Sequence, residues 1–243
     1  MQSNTTLSRQ LQDILGLDRE PAAVKFFIDA EALKELDLSH YDNNKRSRYC
    51  QAVMRAGRGE KVVLGADNIA CASAAAAFGF KTLHPKLASG EAHYNVGTLG
   101  SQEAARCLMA DMPRLAFGDY AYVAVAPLAA AEFTPDVVLV EAPPENLMWI
   151  ALASIYKTGE RMHFSTSVSQ AACVDCTVVP FTGGKINFTL GCNGCREATD
   201  LKITENMMGI PYHMLPDIVE NLQAMQEGID KNRGKSIYER FSK

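Results

Sequence analysis

YAYVAVAPLAAAEFTPDVVLVEAP, residues 120–143, is the stretch that decides the fold. It holds two apolar runs, Tyr120 to Ala126 and Asp136 to Glu141. Each has the length of a strand and lacks polar alternation, the pattern of a strand covered on both faces. Neither approaches the ~18 residues of a membrane span. The longest apolar stretch, Tyr120 to Ala131, is interrupted by Pro127.

Working outward, Leu7 to Leu17 predicts a helix, Ala22 to Ile28 a strand, and Asp29 to Leu36 a helix opened by an Asp cap. Lys61 to Gly65 predicts a strand, and Cys71 to Phe80 an Ala-rich helix closed by Gly79. Ser101 to Met112 and Pro144 to Thr158 predict helices, Met162 to Val168 and Lys185 to Leu190 strands, and Leu215 to Glu227 a helix before a charged tail of ten residues. Strands and helices alternate, so the fold class is α/β or α+β, a mixed sheet with flanking helices. No Pro/Ser-rich linker divides the chain, which reads as a single domain, 1–243.

Four blocks recur in order: AVKFFIDAEAL (23–33) with DVVLVEAPPENL (136–147), RAGRGEKVVL (55–64) with YKTGERMHFS (156–165), NIACASAAAAFG (68–79) with QAACVDCTVVPFTG (170–183), and GTLGSQEAARC (97–107) with FTLGCNGCREAT (188–199). They predict an internal repeat, about 22–128 and 136–222, giving two related halves about a pseudo-two-fold axis. Cys71 falls on Cys173 in this alignment, and Ser101 on Cys192.

The formal charge of −4 gives no electrostatic reason to expect nucleic acid or an acidic membrane surface as partner. Met1 to Arg9 is polar and has no apolar signal core, so the expected location is cytoplasmic. There thiols stay reduced, and the seven cysteines point to metal or catalysis rather than disulfides.

Cys173 and Cys176 form one CxxC pair, Cys192 and Cys195 another, with 15 residues between them. Two such pairs can complete a tetrahedron around one zinc ion. The second pair runs into a helical stretch, where the positive end of the dipole depresses a thiol pKa. Cys71 precedes the Ala-rich helix, and Cys50 follows Lys45, Arg46 and Arg48, whose charges favour its thiolate. Zinc on the two pairs leaves Cys50 and Cys71 unexplained. Six cysteines suit an iron–sulfur cluster, [4Fe-4S] or larger, with spare thiols. Cys107, among Ala105, Leu108 and Met109, reads as core.

Arg48-Tyr49-Cys50-Gln51, the Gly59-Glu60 segment, Cys71 before its helix, Cys173 with Pro180-Phe181 and Gly183-Gly184-Lys185, and Cys192-Asn193-Gly194-Cys195-Arg196 resemble the prokaryotic domain of unknown function family 169, common in anaerobes. The resemblance covers roughly residues 20 to 222. It implies a set of four separated cysteines, here Cys50, Cys71, Cys173 and Cys192, and a Cys-x-Gly-x-Arg motif at Cys192, Gly194 and Arg196. This chain adds Cys176 and Cys195.

Gly183-Gly184-Lys185 lacks the P-loop pattern and reads as a tight turn. His40, His84, His93, His163 and His213 show no metal-binding spacing. Asp175 and Glu197 read as helix caps or ligand orienters. Arg196 and Gly194 are candidate cofactor contacts, Arg196 donating to cluster sulfur, binding an anionic substrate or making a structural ion pair. The expectation is a redox protein or enzyme whose iron–sulfur cluster is held by Cys50, Cys71, Cys173 and Cys192, with Cys176 and Cys195 as further ligands or exchange thiols. Its expected partners are a redox protein or a small-molecule substrate, with homodimerisation open. The alternatives are a non-enzymatic module with structural zinc and a thiol enzyme using CxxC as a dithiol.

Overall fold

A computed structural model describes residues 2–232, so the charged tail expected at the C-terminus lies outside the described residues. The elements run α1 (Asn4–Leu15), β1 (Ala22–Phe27), α2 (Tyr49–Ala56), β2 (Val62–Gly65), α3 (Ala72–Ala77), α4 (Pro85–Ala88), α5 (Glu91–Val96), α6 (Gln102–Ala110), β3 (Tyr122–Pro127), β4 (Val137–Ala142), α7 (Pro144–Ser154), a π-helix (Ala171–Val178), α8 (Val179–Gly183), β5 (Asn187–Thr189), α9 (Asn193–Ala198), β6 (Asn206–Pro211) and α10 (Leu215–Asn232).

The six strands form one sheet in the order β2-β3-β1-β4-β6-β5, and every pairing is antiparallel. The expected mixed sheet is therefore corrected to an antiparallel one, and of the two classes α+β describes it. The continuous apolar runs have a simple cause. Helices cover both faces, so both faces of every central strand are buried. Val123 and Val125 of β3, and Val137 and Leu139 of β4, lie in the core beneath α2, α3 and the π-helix. Ala124, Ala126, Val138 and Val140 face α1, α7 and α10.

The strand order reads alike from either edge. Ala23 of β1 lies opposite Val138 of β4 at the centre of the sheet. Strands β3 and β6 both end in proline and enter a 3-10 turn. The next residue of each donates its backbone N–H to the residue just before the neighbouring strand: Leu128 to Pro21 O at 2.8 Å, Tyr212 to Asp136 O at 3.0 Å. Cys50 lies on the helix before β2 and Cys173 on the helix before β5; Cys71 and Cys192 each cap the short helix that follows.

Two local expectations give way. Asp29 caps as expected, its carboxylate accepting from Ala32 N at 2.8 Å, yet only a 3-10 turn (Ala32–Glu35) follows. Residues 162–168 form no strand. They are held to β5 by the Asn187 side chain, which accepts from Ser165 N at 2.9 Å and donates to Ser165 O at 2.7 Å, and these bonds replace a backbone ladder.

Candidate metal centre

Six of the seven cysteines, all but Cys107, lie on the sheet face covered by α2, α3, α9 and the π-helix. Fully buried Tyr49 anchors α2, stacking edge-on against Phe78 at 4.8 Å and sharing a 2.8 Å hydrogen bond with Thr177 of the π-helix. Arg48 Nη1 donates to Gly194 O at 2.8 Å, and Gln51 Nε2 to Ala198 O at 3.1 Å, so α2 is tied to α9 across the two halves. Replacing Tyr49 by phenylalanine will cost about 1 kcal/mol of stability, because Thr177 keeps its bond to Ala172 O; urea unfolding measures it.

In the π-helix Asp175 N bonds back five residues to Gln170 O at 3.0 Å. Three positions along so wide a helix fall well short of a turn, so Cys173 and Cys176 project to different sides. Cys173 meets the cavity described below. Cys176 is fully buried between the π-helix and β6 and does not line it. On α9, Cys192 is the N-cap, its sulfur accepting from Cys195 N at 3.3 Å.

One cavity of about 470 Å³ is lined by Cys50, Cys71, Cys173, Cys192 and Cys195. Four elements deliver these thiols, two from each half of the chain. Among the described residues, no three His, Cys, Asp or Glu side chains are arranged as a ready-made site for a single ion. The lining donors are five thiols with the side chains of His93 and Glu197, a set dominated by soft sulfur, which suits iron or zinc.

Burial decides the protonation of most of these thiols. The hydrogen bond to Cys195, then desolvation, pushes the Cys50 thiol up. Desolvation pushes Cys173 and Cys192 up as well, and Cys176 likewise. Only Cys195 is lowered, chiefly by its hydrogen bond from Cys50. The thiolate-favouring effects expected at Cys50 and Cys192 are thus outweighed, at Cys50 by the hydrogen bond with Cys195 and then desolvation, at Cys192 by desolvation.

The remaining candidates separate. Gly194 lines the cavity. Arg196 does not; its guanidinium is engaged by the carbonyls of Leu190, Lys202 and Glu205, a structural clamp on the chain after β5. Asp175 is buried and accepts from Thr166 at 2.5 Å and Thr189 at 2.9 Å, locking the 162–168 segment down rather than capping a helix. Glu197 lines the cavity and accepts from Asn193 at 3.1 Å. Gly184 ends α8 in a left-handed turn, as read for Gly183-Gly184-Lys185. Cys107 is exposed, bonded to Glu103 at 3.6 Å, whereas Ala105 and Met109 face inward; the core reading of Cys107 is corrected. Sequence reasoning set His93 aside with the other histidines for want of metal-binding spacing. It lines the cavity, and its Nε2 is buried without a hydrogen-bond partner. A lone histidine carries no spacing signal, so nothing in the sequence marked it.

An uncharacterised protein of Methanocaldococcus jannaschii is 28% identical over 222 residues, 90% of this chain and 94% of that protein. No solved structure matches. The family model described as uncharacterised ArCR, domain of unknown function 169, matches residues 10–221, and the chain belongs to that family.

Proposed function

We propose that the protein is an iron–sulfur redox protein whose cluster is held by Cys50, Cys71, Cys173 and Cys192, with Cys195 as a fifth thiol at the same site. One observation carries this reading: thiols separated by as much as 145 positions, from Cys50 to Cys195, line a single cavity. When bound, such a cluster exchanges single electrons with a partner or substrate. The protein's own share is to hold the donors by the α2–α9 and Tyr49–Thr177 bonds and to bury them in an apolar surround. The position of Cys176 weighs against the alternative, a zinc ion on both CxxC pairs.

Strictly anaerobic purification should yield brown protein with iron and sulfide. Cys50→Ser, Cys71→Ser, Cys173→Ser and Cys192→Ser should each strip most of the iron, while Cys176→Ser keeps it. Colourless protein with stoichiometric zinc, unaffected by Cys50→Ser and Cys71→Ser, would establish the structural-zinc module instead.

A further inference from the structure

A second cavity, of about 540 Å³, shares no lining residue with the thiol cavity. The two border one segment: Ala70 and Ala72 line the second cavity, Cys71 the first. The volume falls within the range of small-molecule pockets, ~300–1,000 Å³. The polar lining of the second cavity is Arg46, Lys81, Thr82 and His84, and no Asp or Glu lines it. Among the described residues, neither the Arg46 guanidinium nor the Lys81 ammonium has a hydrogen-bond or ion-pair partner. Arg19, Arg55 and Arg58, by contrast, are each paired with carboxylates. His84 Nδ1 accepts from Lys86 N at 3.2 Å, so in the neutral ring the proton sits on Nε2, which is then a donor. Two uncompensated cations at one cavity, in a chain of formal charge −4, form a local field that attracts an anion. Phe117 lines the same cavity and is 68% exposed. Backbone bonds on either side hold it there: Leu115 N donates to Ala77 O at 2.8 Å and Gly118 N to Gly79 O at 3.0 Å. Gly79 permits that approach, since a Cβ on it would lie 2.2 Å from Ala116 O.

We propose that this second cavity binds a small phosphate monoester carrying an aromatic ring, the phosphate taken by Arg46, Lys81 and His84 Nε2 and the ring packing on Phe117. A phosphate monoester brings about two negative charges and three terminal oxygens, which match two cations and a third donor. A carboxylate brings one charge and two oxygens and leaves a cation uncompensated. The exposed phenyl ring gives an aromatic body an offset or edge-on partner. The inference goes beyond the cluster reading and stands equally if the thiol cavity holds zinc.

Phenyl phosphate, inorganic phosphate and benzyl alcohol serve as probes, titrated calorimetrically into the full chain as purified anaerobically. Iron and sulfide content is assayed separately, so failure of this inference and failure of the cluster reading are told apart. Phenyl phosphate should bind saturably and about fivefold tighter than inorganic phosphate, the worth of one ring contact, with benzyl alcohol giving no binding heat. Arg46→Gln and Lys81→Gln should each weaken phenyl phosphate about tenfold. Lys45→Gln, beside Arg46 in the chain but outside the cavity lining, should leave it unchanged. Phe117→Ala should remove the preference over inorganic phosphate. The four substituted side chains are exposed, so these variants keep the fold, and an unchanged Tm checks it. No saturable binding of phenyl phosphate, equal binding of benzyl alcohol, an equal loss in Lys45→Gln, or a preference surviving Phe117→Ala would each overturn the proposal.

Discussion

Replacing Gly209 by alanine is expected to lower stability by at least about 3 kcal/mol and to weaken metal binding with it. Gly209 sits in β6, between Leu139 of β4 and Asn187 of β5. A Cβ there would lie 2.0 Å from Cys176 O and 2.6 Å from Cys176 C, with Pro180 Cγ at 2.8 Å. The first two are backbone atoms of the π-helix and cannot rotate aside. The helix must lift off the sheet or the strand must retreat, and inserted core volume typically costs 1–3 kcal/mol even where side chains can yield. For a chain of this size that is about 6–12 °C in Tm. Lifting the π-helix also displaces Cys173, so iron content should fall although no thiol is removed. Thermal unfolding and iron assay of Gly209→Ala measure both; an unchanged Tm would refute the close approach.

The second large effect concerns Glu141. It lies on β4, in alternation with Val137 and Leu139, and so points to the thiol side of the sheet. It is 8% exposed, neither carboxyl oxygen has a hydrogen-bond partner, and Arg19 Nη1 stands 3.7 Å away. Glu205, also bound to Arg19, is by contrast satisfied by Lys202 N at 3.0 Å. Desolvation pushes Glu141 up to about 8 from 4.5, Arg19 opposing and Cys195 adding to the rise. The folded state then holds a proton that the unfolded chain has already released between those two values. Stability is therefore full below about 4.5 and declines as pH rises through about 8, by roughly 4–5 kcal/mol when titration is complete. Glu141→Gln keeps the shape and removes the titration. Urea midpoints at pH 5, 7 and 8.5 should fall steeply for the parent protein and stay nearly level for Glu141→Gln, which becomes the more stable of the two at pH 8.5. Parallel slopes would show that this carboxyl is not held neutral.

Much of the frame can be read from the residues. Continuous Val, Ala and Leu runs mark β3 and β4, and α6 lies within the helix expected over Ser101 to Met112. The set Cys50, Cys71, Cys173 and Cys192, which the family resemblance implied, lines one cavity. Strand direction was not legible, since burial on both faces erases the alternation that marks an antiparallel strand. Strand β6 was missed because Asn206, Gly209 and Pro211 dilute its apolar signal; the glycine is there for the close approach of a neighbouring helix. The π-helix was missed because its mark is a shift in backbone bonding, which side-chain periodicity does not carry. Asn187 carries side-chain bonds that replace a ladder, and no pattern in 162–168 reveals that they do.

The meeting of β1 with β4 has a consequence for assembly. Within the sheet, each half pairs its own strands and leaves one inner edge open, β1 in the first and β4 in the second. Cut between Ala131 and Thr134, outside every strand, the chain would yield two fragments whose open edges are each other's natural template. Neither fragment alone carries all the thiols that line the cavity, so reassociation of the pieces and completion of that lining would be a single event.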